Sequence, residues 1–153
     1  MPAWFPILLV VHICLALALL APSVIVPFLL RRSPAGTAPG AATRFLAGLQ
    51  GSGTLFIGLG VGLSGIGLLA TLGIGLLSQP WMIVALVLYA ANLLVAAFVS
   101  RPNLRRLIGL SSAASVDDGT WQRRARRQRY VAYAMAGAIG VIGFLMSTKP
   151  DLW

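Results

Sequence analysis

Apolar residues run almost unbroken through four stretches of this chain, and its charged residues gather between them. Residues 3–30, 45–100 and 130–148 contain no Asp, Glu, Lys or Arg. A helix needs about 20 apolar residues to cross a bilayer core of about 30 Å. Segments at about 4–30, 50–77, 81–100 and 130–147 meet that length. Pro22 and Pro27 predict a kink or tilt at the inner end of the first span. An amphipathic lead-in carrying Arg44 precedes the second. Ser78-Gln79-Pro80 is a minimal turn, so the second and third spans are predicted to form a tight hairpin. The Pro, Gly, Ala and Thr of 31–41 are turn and linker residues. Arg101-Pro102-Asn103 predicts the end of the third span, 104–110 a short interfacial helix, and 111–119 a loop. Asp118 or Thr120 would cap a fourth helix that enters the membrane after Trp121. The expected fold class is all-α: one polytopic membrane domain over 1–153, an antiparallel bundle of four transmembrane helices.

Composition excludes the alternative of a soluble domain. Hydrophobic residues are 58% of the 153 and charged residues 10%, against about 25% charged in an average soluble domain. Mean hydropathy is +0.89. The first span lacks a basic n-region and exceeds the roughly 7–15 residues of a signal-peptide core. It is therefore expected to be a retained helix. The lone cysteine, Cys14, offers no intrachain disulfide and reads as a small hydrophobe.

Charge changes the picture by setting orientation. Twelve Lys+Arg stand against three Asp+Glu, a formal +9. Eleven of the cations lie in 31–44 and 101–129; the twelfth is Lys149. The positive-inside rule places both basic loops in the cytoplasm. In a bacterial inner membrane both termini then face the periplasm. Trp4, Trp81 and Trp153 fall at the predicted outer interface, and Trp121 and Tyr130 near the inner one, as amphipathic aromatics prefer. Arg123, Arg124, Arg126, Arg127 and Arg129 form a topogenic stop suited to anionic lipid headgroups. An acidic protein partner is a second reading. No aromatic stacking platform accompanies them, so nucleic acid is not the expected partner.

The second span is glycine-rich. At about 100° per residue, Gly51, Gly58, Gly62 and Gly65 share one face, with Gly53, Gly60, Ser64, Gly67, Thr71 and Gly75 opposite. Two small-residue stripes predict close approach of two helices and put this span at the bundle centre. Ala132, Ala136, Gly140 and Gly143 form a similar stripe on the fourth span. Asn92 is expected to make an interhelical hydrogen bond.

Candidate chemistry is sparse. No span holds Asp or Glu, which argues against a proton-coupled transporter, and no metal-ligand cluster is visible. His12 is the one ionisable residue of its kind within a span, about 15 Å in from the outer end. It reads either as a histidine hydrogen-bonded to a neighbouring helix or water, or as a ligand to haem iron. With Val11-His12-Ile13 in the first helix, basic loops after spans one and three, and terminal Met146-Ser147-Thr148-Lys149-Pro150, the layout resembles a group of small bacterial membrane proteins of unknown function. That group is distantly similar to the HemJ-type protoporphyrinogen oxidases and CopD-like proteins. The resemblance implies His12 and Lys149 as haem-binding candidates, with haem b the possible cofactor. Two functions follow. One is a non-catalytic accessory or assembly subunit that packs against other membrane subunits or forms a homodimer. The other is a haem-binding redox or tetrapyrrole enzyme. No catalytic residue is assigned.

The orientation is directly testable. A Ser112→Cys thiol is expected to be shielded from a membrane-impermeant reagent in intact cells; labelling there would reverse the topology.

Overall fold

The computed structural model describes residues 3–32, 41–111 and 118–149. The described residues form helices α1 (Phe5–Arg32), α2 (Ala41–Gly48), α3 (Thr54–Leu72), α4 (Pro80–Val95), α5 (Arg101–Ser111) and α6 (Asp118–Thr148), and no strand. A π-helical segment, Leu49–Gly53, joins α2 to α3, and a second, Ala96–Ser100, joins α4 to α5. Four stretches are long and apolar enough to cross a membrane: Phe5–Leu29, Thr54–Leu72, Pro80–Leu107 and Gly119–Thr148. The expected Trp153 anchor lies outside the described residues, as do most of the predicted loops at 31–41 and 111–119.

Local chemistry explains where the elements end. Gly73 has φ 104, a left-handed backbone that L side chains rarely adopt. It stops α3 five residues before the predicted end at Leu77, and a 3₁₀ turn, Ile74–Ser78, follows. Gln79 is extended and Pro80 opens α4, where its missing N–H costs nothing. Arg101-Pro102-Asn103 does not end the third span. The chain stays helical to Ser111. Pro102 cannot donate to the carbonyl four residues back, and the helix widens there: the Arg101 N–H reaches the Ala96 carbonyl, a five-residue step. α5 buries Asn103, Leu104 and Leu107 and exposes Arg105 and Arg106. α1 continues through Pro22 and Pro27, both buried, to Arg32.

The helices meet in pairs whose residue numbers run in opposite senses. Leu8, His12 and Leu15 of α1 lie against Gly67, Gly65 and Gly60 of α3. Tyr89 and Leu93 of α4 lie against Gly62 and Gly58. Trp81 and Ala85 of α4 pack with Leu145 of α6, flanked by Leu88 and Ile142. At the basic end, Val26 and Leu104 form a small core that Leu46 covers.

The centre is not α3. α1 shares broad contact with both α3 and α6, and α4 with α6. α3 and α4 approach mainly through Tyr89 and Leu93 rather than as a close hairpin. The two faces of α3 do take two neighbours, but Gly65 faces α1, not the α4 side shared by Gly58 and Gly62. Meanwhile Phe56, Leu59, Leu63 and Ile66 leave an outer face of α3 exposed. The largest residue of α4, Trp81, packs with Leu145 of α6. Trp81 and Trp121 are buried inside the protein, whereas Trp4 and Tyr130 are exposed as interfacial aromatics would be.

Glycine contacts predict a contrast. A Cβ at Gly62 would sit 2.8 Å from the Tyr89 hydroxyl, whereas one at Gly140 meets nothing within 4 Å. Gly62→Val is expected to lower the thermal midpoint in detergent, a cost of about 1–3 kcal/mol. Gly140→Ala should leave it unchanged or raise it slightly.

Candidate functional site

Two polar loci lie within the helices. The first is at mid-span. The His12 Nδ1 is 2.8 Å from the Ser64 Oγ, and that hydroxyl donates to the Val61 carbonyl at 3.0 Å. The same hydroxyl can accept from Nδ1 or donate to it, so the contact suits either imidazole tautomer. The imidazole lies over Gly65, where a Cβ would come within 3.4 Å of Cε1. One helical turn along α3, the Tyr89 hydroxyl donates to the Gly58 carbonyl at 2.6 Å. These bonds bind α1 and α4 to opposite faces of α3. Asn92 is buried on α4, but the side-chain hydrogen bond from α4 to α3 comes from Tyr89.

The second locus is a buried polar layer at the basic end. Gln128 on α6 is wholly buried. Its Nε2 donates to the Ser100 Oγ at 2.9 Å, and its Oε1 accepts from the Asn103 Nδ2 at 2.9 Å. Asn103 also reaches the Arg124 carbonyl at 3.3 Å. Thr54 caps the neighbouring π-helical segment by donating to the Gln50 carbonyl at 2.7 Å. Gln50 is wholly buried, and neither polar atom of its side chain has a partner. The Leu49–Gly53 segment packs on α1, on the Ala96–Ser100 segment and on α5. Two π-helical segments thus converge where the polar side chains gather. Such segments are frequent at functional sites because each disturbs the regular backbone ladder.

The arginine run divides around this layer. Arg123, Arg126 and Arg127 are exposed, and Arg124 and Arg129 are half-buried. The Arg126 guanidinium lies 5.8 Å from the Tyr130 ring centroid. Between the arginines, Trp121, Ala125 and Gln128 turn inward together with Ala132 and Met135.

Lys149 ends α6 in a left-handed conformation, φ 46, with its side chain exposed. His12 is engaged with α3, and no hydrogen bond joins the two residues. Of the other residues singled out in the sequence, Gly58, Gly62 and Gly65 lie at helix contacts, while Gly140 opens outward. Cys14 is exposed. Among the described residues, no group of three or more His, Cys, Asp or Glu side chains could hold a metal ion. No protein-family model, curated protein or solved structure matches the chain.

Sequence reading passed over Gln50, Ser100 and Gln128. A signal for Gln128 was present: residues 121, 125 and 128 are the uncharged helical stripe within the arginine run. Nothing comparable marked Gln50.

The layer predicts non-additive energetics. Gln128→Ala would leave the Ser100 hydroxyl buried without its partner, at about 1–3 kcal/mol, and would leave the Asn103 amide only the longer bond to the Arg124 carbonyl. It should therefore lower the thermal midpoint more than Tyr89→Phe, which removes one donor. Adding Ser100→Ala and Asn103→Leu to Gln128→Leu should recover part of the loss in a mutant cycle.

Proposed function

We propose that this chain is a multi-pass inner-membrane protein, an antiparallel four-helix bundle that serves as a non-catalytic accessory or assembly subunit. Its termini face the periplasm and its basic segments the cytoplasm. The observation that carries the reading is how the polar groups are used. His12, Ser64 and Tyr89 join helices, and Gln128, Ser100 and Asn103 join helices. The one hydroxyl–imidazole pair among them, Ser64 with His12, has no acidic side chain in any span to orient the imidazole.

The outer surface supports the same reading. Leu17, Phe56, Leu63, Phe98 and Phe144 are exposed around the helices. Lipid tails or other apolar helices would cover such a surface, whereas water would not. On α6, a Cβ at Gly137, Gly140 or Gly143 would meet nothing within 4 Å among the described residues, so another helix can approach its backbone closely. The exposed Arg123, Arg126 and Arg127 suit the anionic headgroups of the cytoplasmic leaflet, with the half-buried Arg124 and Arg129 beside them.

A second reading has one specific observation in its favour. With Nδ1 engaged by Ser64, Nε2 is the nitrogen that would ligate haem iron. This fits a haem-binding redox or tetrapyrrole protein like the HemJ-type enzymes. Lys149 is not brought to the same place by a shared contact, so His12 is the residue on which that reading stands.

The deciding measurement is an absorption spectrum of gently solubilised, size-fractionated protein, oxidised and then reduced. A colourless protein that co-purifies with a fixed set of membrane subunits is expected. A Soret band that disappears in His12→Ala would overturn the accessory reading in favour of haem binding.

A further inference from the structure

The polar layer at the basic end contains two buried groups that the protein leaves without partners. They are both polar atoms of the Gln50 carboxamide and the Nε of Arg101. A buried orphan of this kind costs about 1–3 kcal/mol, and more when charged. Its presence calls for a partner from outside the chain.

Helix register puts the two groups together. Gly58 meets Leu93, Gly62 meets Tyr89, and the Leu49–Gly53 segment packs on the Ala96–Ser100 segment and α5. Going up the α2–α3 helix therefore matches going down the α4–α5 helix, residue for residue within one position. That register sets Gln50 opposite Arg101. The wheel of α5 agrees. Asn103 turns to Gln128 on α6, and Leu104 turns to Val26 on α1. Arg101 lies about 60° beyond Leu104, away from Asn103. It is thus on the flank where the Leu49–Gly53 segment packs.

The chemistry of these groups selects the ligand. The Arg101 Nε–H and the Gln50 amide N–H are donors suited to an anionic oxygen. The Gln50 carbonyl needs a donor in return. The chain's only carboxylate side chains are Asp117, Asp118 and Asp151, and none lies in α1–α5. A phosphate with a hydroxyl beside it supplies both kinds of partner. On the membrane reading given above, Arg101 lies toward the cytoplasmic end of its span, where phospholipid headgroups are found.

We propose that Gln50 and Arg101 form a binding site for a phosphate group with an adjacent hydroxyl, as in the headgroup of phosphatidylglycerol. Phosphate oxygens accept from the Arg101 Nε–H and the Gln50 amide, and the hydroxyl donates to the Gln50 Oε1. The site is distinct from the exposed arginines of α6. The inference rests on the membrane reading for the lipid source of the phosphate.

The test is a titration of the full chain in neutral detergent with phosphatidylglycerol, phosphatidylcholine or inorganic phosphate, read as the thermal midpoint. Phosphatidylglycerol should raise the midpoint of the wild type and of Arg126→Gln, and phosphatidylcholine should not. Arg101→Leu and Gln50→Leu should require about tenfold or more lipid for the same rise, because a charge-assisted or buried hydrogen bond is lost. Gln50→Leu removes an orphaned amide, so without lipid it should be at least as stable as wild type. Gln50→Glu should abolish the response by supplying an internal carboxylate to Arg101. Stabilisation by inorganic phosphate alone, lost in the same variants, would assign the site to free phosphate. An equal lipid response in wild type, Arg101→Leu and Gln50→Leu would overturn the site. Recovery of the chain in the soluble fraction without detergent would instead overturn the membrane reading. The phosphate titration would still report on the site.

Discussion

A polar side chain inside an apolar helix pair is costly unless it is paired, and most of those in this protein are paired with one another. The contacts that define this molecule follow from that constraint. Gln128 answers Ser100 and Asn103 across α6, the Ala96–Ser100 segment and α5. Ser64 answers His12 across α3 and α1, and the Gly58 carbonyl answers Tyr89 across α3 and α4. Each pair joins helices that apolar packing alone would hold in many registers, because leucine slides over leucine at little cost. Hydrogen bonds have one satisfied register. The polar pairs therefore select the arrangement, and glycines at the contacts let it close.

The two π-helical segments belong to the same accommodation. Pro102 removes a donor from a helix that cannot end where it stands, and the widened turn re-pairs Arg101 with Ala96. The Leu49–Gly53 segment lies alongside and carries the Thr54 hydroxyl on its Gln50 carbonyl. Irregular backbone at this level is tolerated where it faces protein rather than lipid. The basic end is consequently the more polar and more irregular half of the molecule. The opposite end is tied by Trp81, Ala85 and Leu145 through shape alone.

His12 shows how context decides a residue's meaning. In the sequence it is a histidine deep in an apolar span and could serve packing or ligation equally. In the structure its Nδ1 is committed to Ser64 and its ring rests on Gly65. That use is architectural, while the orientation it imposes leaves Nε2 as the only nitrogen with chemistry to offer. The polar layer presents the reverse case. Its glutamines looked unremarkable in sequence, yet they are, with Ser23 and Ser100, the wholly buried polar residues of the described protein.

What the sequence by itself determined was the set of apolar helices and the concentration of cations at one end. Both depend on composition within a window of some twenty residues, and hydropathy and charge are read locally. The start of α4 at Pro80 was also legible, because proline chemistry is local; the longer connection before it was not, because a glycine in a glycine-rich helix does not announce the φ with which Gly73 stops α3. Only tertiary structure decided that α1 rather than α3 packs broadly on two long helices, that Trp81 faces inward, and that the helix passes through Pro102 into α5. It also decided which amides found partners. Gln128 and Gln50 have the same side chain, but one lies level with a hydroxyl and an amide on the adjoining helix and the other with neither. That difference is a matter of register between segments far apart in the chain, and no local pattern encodes it.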